Sequence, residues 1–324
     1  MASCRTYWHN GRTGTTGITG LTKNMEEISF SSQLLQYAIT GVTIGSIYAM
    51  VAIGFNIIYN VTEAINFAQG EFVMLGGLVM VFLRVAVNIP VIFSLPLTIM
   101  LVTMVGILLD RLAIKPLSKP SVLAMVIATI GASFFIRGAA MMLWGKNPFD
   151  LPPFSGRNPI SFLGAVVQPQ GLWVVGFLLV VVVVLTLFFD RTILGKALRA
   201  CAVNPSASSL VGINVKHMVL VSFALSAAIG ALGGIVITPI SLMEYDRGAM
   251  LAVKGFSACV LGGIGSFPGA VTGGLLIGLI ESLGAGLVSS GYKDVFALLL
   301  LLFVLFVRPS GLLGNAEVSK IRKF

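Results

Sequence analysis

Charge is what this chain has least of. Only 10% of its 324 residues are Asp, Glu, Lys or Arg, while 56% are hydrophobic. A soluble domain carries about 25% charged residues. So few charges cannot cover a water-facing surface, and the apolar residues fall in long blocks, so a soluble globular domain is excluded. Histidine is nearly missing, with His9 and His217 alone, and neither an HExxH run nor a nucleophile elbow occurs. Three cysteines, Cys4, Cys201 and Cys259, are scattered without CxxC spacing. That spacing indicates neither a disulfide framework nor a metal site. A Walker A loop is also lacking, because Gly195-Lys196 has no following Ser or Thr and no upstream glycine at the required spacing. The stretch Gly263-Ile264-Gly265-Ser266 lacks the third glycine and the preceding strand of a dinucleotide site. Any ATP-driven process in which the chain takes part must borrow its ATPase.

What is present is apolar and basic. Hydrophobic blocks cover 34–59, 64–83, 89–109, 121–143, 171–189, 218–243, 256–285 and 294–307. A bilayer-spanning helix needs about 20 apolar residues. Lipid leaves no partner for unpaired backbone groups, so the spans must be helical. The expected fold is therefore an all-α integral membrane protein, a polytopic bundle of about eight hydrophobic elements, some broken or re-entrant. Residues 1–33 form a polar N-terminal tail, 34–314 the membrane domain and 315–324 a basic C-terminal tail. Two readings of residues 1–24 stand: a polar tail, or a stretch outside the native protein, which would then start at Met25. The formal net charge of +9 does not imply nucleic acid, since no aromatic-plus-basic reading motif accompanies it. The basic residues lie between the apolar blocks, as the positive-inside rule requires.

That rule also orients the chain. The 110–120 connection carries Arg111, Lys115 and Lys119 against Asp110, and the 190–217 connection carries Arg191, Lys196, Arg199 and Lys216 against Asp190. Both are expected to be cytoplasmic, which places the N-terminus outside. The C-terminal tail, with Arg308, Lys320, Arg322 and Lys323, joins them only if block 256–285 returns to its own side. Its glycines 262, 263, 265, 269, 273 and 274, with Pro268, mark it as the broken element. Small-residue pairs, Gly41 with Gly45 and Gly230 with Gly234, point to close helix packing.

Few charges fall within the blocks. Glu71, Arg137 and Glu281 do, and intramembrane ionisable groups mark functional sites or fixed ion pairs. A helix restarting near Gly70 places the Glu71 carboxylate at a positive helix end; for Arg137 and Glu281 both readings stay open. The 190–217 connection reads as a short helix, a turn at Asn204-Pro205 and a stop at Gly212, a compact docking element rather than a plain loop. Cys201 within it is expected to react with thiol reagents, and Cys259 to be hidden.

Four stretches together resemble one family. They are Gly195-Lys196-Ala197-Leu198-Arg199-Ala200 through Asn204-Pro205 and Gly212-Ile213, then Asn66 to Glu71, then Leu261 to Ala270, and Arg308 to Leu312. From about Leu34 to Gly314 the chain is similar to the LivH type of branched-chain amino acid ABC transporter permease. Ser206 departs from it, since the family often has an acid after the Asn-Pro pair. The resemblance implies a non-enzymatic importer subunit in the cell inner membrane, for branched-chain or related small amino acids. It implies a second permease subunit, two ATPase subunits that bind the ATP, an external solute-binding protein and surrounding lipid, with no cofactor of the chain's own. It assigns coupling to the ATPases to Gly195, Lys196, Arg199, Ala200, Asn204, Pro205 and Gly212. It assigns the path or broken helices to Asn66, Gln69, Gly70, Glu71, Gly262, Gly263, Gly265, Pro268 and Gly269. The competing class is a stand-alone secondary transporter or channel in which Glu71 and Glu281 couple ions.

Overall fold

The structure, a computed structural model, describes residues 30–117, 121–156, 158–162, 164–308 and 310–314. Cys4, His9, Met25, Lys119 and the basic residues after Gly314 lie outside them. Eleven α-helices are present among the described residues. These are α1 (Phe30–Thr62), α2 (Gln69–Val81), α3 (Val91–Leu109), α4 (Val122–Trp144), α5 (Pro169–Arg191), α6 (Ile193–Val203), α7 (Pro205–Leu210), α8 (Val215–Ile237), α9 (Arg247–Gly262), α10 (Phe267–Leu287) and α11 (Lys293–Val307). A wide turn, Phe82–Ala86, extends α2, and another, Asp110–Ile114, extends α3. A small hairpin, β1 (Ile160–Phe162) against β2 (Ala165–Val167), lies between α4 and α5. Eight of the helices, with their extensions, are long and apolar enough to cross a bilayer. The chain is thus a multi-pass helical membrane protein.

Contacts between loops sort the helix ends into two groups. Phe149 and Met243 form a backbone bridge, and Val166 N–H donates to Gln36 on the first turns of α1. The start of α1, the 145–168 connection and the 238–246 connection therefore share one end. At the other, Ile57, Val61, Phe189, Leu198 and Phe267 enclose a small cavity, which brings together the last turns of α1 and α5, α6 and the start of α10. Arg191, Lys196 and Arg199 sit here; we call it the basic end.

Helix α1 is the axis of the bundle, and α10 runs antiparallel along it. Their contact is made by glycines: a Cβ on Gly45 would lie 2.8 Å from Gly274 O, and one on Gly278 would lie 2.3 Å from Gly45 N. Helix α8 meets α2 the same way, since a Cβ on Gly234 would lie 1.9 Å from Val73 O. Lipid gives helices little hydrophobic reason to associate, so backbone approach through small residues supplies the contact. The glycine pairs on α1 and α8 serve this packing.

Block 256–285 resolves into a helical hairpin. Helix α9 descends to the basic end, residues 263–266 turn, and α10 ascends, so the element does return to the end it came from. Its descending limb begins nine residues earlier than the apolar block, at Arg247. The Gly-Pro stretch is therefore not a break at mid-depth. Gly262 and Gly269 mark the close crossing of the two limbs, where a Cβ on Gly262 would lie 1.8 Å from Gly269 O. The true breaks at depth are elsewhere. Ser226, halfway along α8, donates to Gly54 O at 2.9 Å and to Gln69 Oε1 at 2.5 Å, so α2 starts in the middle of the bundle. Gly248 touches Gly70, so α9 starts at the same level. Residues 63–68 and 238–246 cover the remaining depth without helix; Ala64, Asn66, Ala68, Thr238 and Met243 within them are buried in protein, where irregular backbone is tolerated. Met243, fully buried, exchanges both its backbone hydrogen bonds with Phe149.

Candidate functional site

Helices α2 and α9 meet inside the bundle with their N-termini together. A Cβ on Gly70 would lie 2.0 Å from Gly248 O, so only glycine permits this approach. Each helix start carries unpaired N–H groups and partial positive charge. Glu71 stands in the first turn of α2, fully buried. Its Oε1 accepts from Ser133 Oγ at 2.8 Å and from Arg137 at 2.7 Å, both on α4. Thr129, one turn before Ser133, accepts from Phe67 N–H at 3.2 Å. The i, i+4 row Thr129, Ser133, Arg137 is thus the face by which α4 holds the 66–71 turn. Asn66 Oδ1 accepts from Ala68 N–H at 3.1 Å and shapes that turn. Gln69 reaches Ser226 on α8.

A second ionic group lies on the other flank of α9. Lys254 Nζ is 2.6 Å from Glu281 Oε1 on α10 and 2.7 Å from Asp294 Oδ1 on α11. Tyr48 on α1 donates its hydroxyl to Glu281 Oε2 at 2.9 Å. The partly buried ammonium thus joins α9, α10 and α11, and Tyr48 adds α1 through Glu281. Arg137 and Glu281 both therefore have charged partners. Lys254 escapes a hydropathy reading because it falls between two apolar blocks, and Tyr48 because it is an aromatic among aromatics.

The 263–266 turn is clasped from α1. Asn56, fully buried, donates to Ser266 O at 2.9 Å and accepts from Gly265 N–H at 2.7 Å and from the Cys259 thiol at 3.0 Å. Asn60 donates to Gly265 O at 3.2 Å. Two asparagines one turn apart inside an apolar run were the sequence signal for this clasp. The segment after α11 closes it from outside, with Leu312 N–H donating to Leu261 O and Leu313 N–H to Gly262 O, both at 2.9 Å. Pro268 opens α10, and the Ser266 hydroxyl caps it by accepting from Gly269 N–H. Gly263 and Gly265 adopt φ of 106° and 90°, where a side chain is strained. A Cβ on Gly265 would also come within 2.9 Å of Asn60 Oδ1. Gly265→Leu should therefore abolish transport while the chain still reaches the membrane. Uptake set against the amount of protein in the membrane fraction measures this; near-normal uptake would count against it.

At the basic end the 190–217 connection folds as α6 and α7. Thr192 caps α6 by accepting from Gly195 N–H at 3.0 Å, and Asn204 caps α7 by accepting from Ala207 N–H at 3.0 Å. Pro205 opens α7 rather than marking a plain turn, and Gly212 ends it at φ 87°. Gly195 packs on the backbone of Phe188 and Phe189, Ala200 is half-buried, and Arg199 pairs with Asp190. Lys196 is exposed. Cys201 is not the accessible probe expected: it is 1% exposed, turned inward, and burial pushes its thiol pKa up against a lowering hydrogen bond with Ser208. Apolar side chains face out instead, with Ile193, Leu210 and Val211 exposed and Val203 82% exposed. A membrane-impermeant maleimide should label a Val203→Cys chain at least tenfold faster than native Cys201, since only an accessible thiolate reacts. Equal rates would contradict the inward placement.

These features can be set against known proteins. The family model of the branched-chain amino acid transport system permease component matches residues 37–305. The chain belongs to this family. It is 34% identical over 300 residues to the high-affinity branched-chain amino acid transport system permease protein BraD of Pseudomonas aeruginosa, covering 89% of this chain and 98% of that one. LivH of Escherichia coli is also 34% identical, over 302 residues, covering 89% and 97%. The ribose import permease protein RbsC of Haemophilus influenzae is 24% identical, covering 80% of each. As a family member, the chain places its intramembrane charges and its unwound segments within a transport permease component.

Proposed function

We propose that the chain is a permease subunit of an ABC importer for branched-chain amino acids, working beside a second permease subunit, two ATPase subunits and an external binding protein. The observation that carries this reading is the exposed apolar face of α6 and α7, set on a rigid, doubly capped unit outside the spans. Water-facing Ile193, Val203, Leu210 and Val211 are costly to leave uncovered. Lys196 and Arg199 rim that face, the pattern of an apolar core with a polar rim that a protein partner covers. Family membership supports the transport role, and the absence of a Walker A loop from the sequence assigns the ATP to that partner. The basic end is then cytoplasmic, as the positive-inside rule requires, and the binding protein docks at the opposite end.

Reconstitution tests the reading. Alone in liposomes the chain should neither hydrolyse ATP nor concentrate leucine. With its partners it should take up leucine, isoleucine or valine when ATP is supplied on the basic side. Adding the ATPases should also protect Val203→Cys from the impermeant maleimide. Uptake driven by an ion gradient through this chain alone would overturn the proposal.

A further inference from the structure

The two ionic groups at mid-depth differ in one respect. Lys254 and both oxygens of Glu281 are engaged. The Glu71 group is not closed. Glu71 Oε2, Arg137 Nε and Asn66 Nδ2 are buried atoms without a hydrogen-bond partner among the described residues, and Glu71 and Asn66 are each 1% exposed. Leaving such groups unpaired is costly. The free set is one anionic acceptor and two donors, beside the converging N-termini of α2 and α9. A zwitterion is its complement: an ammonium donates to Oε2, and a carboxylate accepts from the guanidinium and the amide in the positive field of the helix ends.

The surroundings point the same way. Arg137 keeps 25% of its side chain exposed at this depth. Beside it Phe67 and Phe134 are exposed, and on α9 Met250 and Val253 are 55% and 56% exposed. A guanidinium edge facing hydrocarbon is unfavourable, and intramembrane charges normally face protein or water. A water-filled path over α9, with apolar walls for an aliphatic side chain, removes that difficulty. The Gly70–Gly248 contact closes the way to Oε2 from α9: a Cβ on Gly248 would lie 2.8 Å from Oε2 itself, and one on Gly70 would lie 2.7 Å from the Ala252 side chain. Opening Oε2 to a solute requires α9 to part from α2 at this contact.

We propose that Glu71 and Arg137, with Asn66, hold the charged head group of a zwitterionic α-amino acid on a path that runs over the Met250–Val253 face of α9. This deepens the permease reading and rests on it. The test uses the assembled transporter in nanodiscs, in a background where Cys4, Cys201 and Cys259 are serine. Met250→Cys and Val253→Cys should react with a small charged methanethiosulfonate, while Leu179→Cys at mid-depth on α5 should not. Turnover in the presence of leucine and ATP should slow that reaction several-fold, and isoamylamine, which lacks the carboxylate, should not slow it. Glu71→Gln should lower ATP-driven leucine uptake at least tenfold, and Glu71→Asp should restore part of it with a raised KM. Cysteines at 250 and 253 as silent as that at 179 would overturn the proposal. So would labelling that leucine leaves unchanged, or equal protection by isoamylamine. Because accessibility is read without uptake, a complex that transports leucine yet shows silent cysteines rejects this path and leaves the permease reading intact. A complex that transports nothing with all partners present rejects the permease reading itself.

Discussion

Lys254→Met should be among the most damaging single substitutions in this protein. One ammonium, 14% exposed, balances Glu281 and Asp294 at 2.6 and 2.7 Å. Removing it leaves the Glu281 carboxylate buried between α1, α9 and α10 with the Tyr48 hydroxyl as its remaining donor among the described residues. Breaking a buried pair from one side costs about 3–5 kcal/mol, because the remaining charge stays desolvated. Tyr48 offsets about 1.5–3 kcal/mol at most, the range for a hydrogen bond to a charged group. The loss should therefore win. Purified Lys254→Met should show a clearly lower midpoint of thermal unfolding and a reduced yield from membranes. The double change Lys254→Met with Glu281→Met should recover most of the loss, since apolar pairs of similar volume often replace buried ion pairs at little cost. A single variant as stable as the parent would show that the cluster is solvated and contributes nothing.

That cluster also shows where sequence reading reaches and where it stops. Hydropathy locates helices because lipid thickness sets their length; α3, α4, α5 and α11 begin or end within a few residues of their apolar blocks. Hydropathy does not see where backbone leaves the helix inside an apolar run. In block 64–83 the restart near Gly70 was legible, and α2 does start at Gln69, but hydropathy gives no sign that Ala64–Ala68 is a turn at depth. The first limb of the hairpin was hidden for the opposite reason. Arg247 and Lys254 dilute its apolar character, so the block starts at Phe256 although the helix starts at Arg247. Glycine and proline flagged the 263–266 turn correctly as a break but not its depth, which depends on the Asn56 clasp and on residues 312 and 313 some 50 positions away.

Side-chain direction was the other missing quantity. The 190–217 connection announced itself by caps and a proline, and α6 and α7 follow those signals. Which way Cys201 points depends on one helical turn. Leu198 and Cys201 turn inward three residues apart, and Val203 outward, an i, i+3 rule that fixes a shared face but not which face is covered. The same periodicity on α4 was readable. Thr129, Ser133 and Arg137 are the polar residues at i, i+4 spacing in an otherwise apolar helix, and they mark the stripe that meets Glu71.

Arg137→Met should be as damaging as Lys254→Met, and the rescue experiment separates two roles. The guanidinium supplies the charged partner of a carboxylate that is 1% exposed. Without it Glu71 retains Ser133 and the α2 N-terminus. A helix end contributes about 0.3–1 kcal/mol, up to about 2 kcal/mol when partly buried, against about 3–5 kcal/mol for the broken pair. Destabilisation should win, and Arg137→Met should unfold at lower temperature and transport nothing. Adding Glu71→Leu removes the uncompensated carboxylate, so the double variant should regain most of the thermal stability. If the pair is only a strut between α2 and α4, uptake returns with stability. If it holds the head group of the solute, stability returns and uptake does not, because neither charge is left to meet the zwitterion. The expected result is the second: a double variant that folds, assembles with its ATPases and protects Val203→Cys as the parent does, yet takes up leucine at no more than a few per cent of the parental rate.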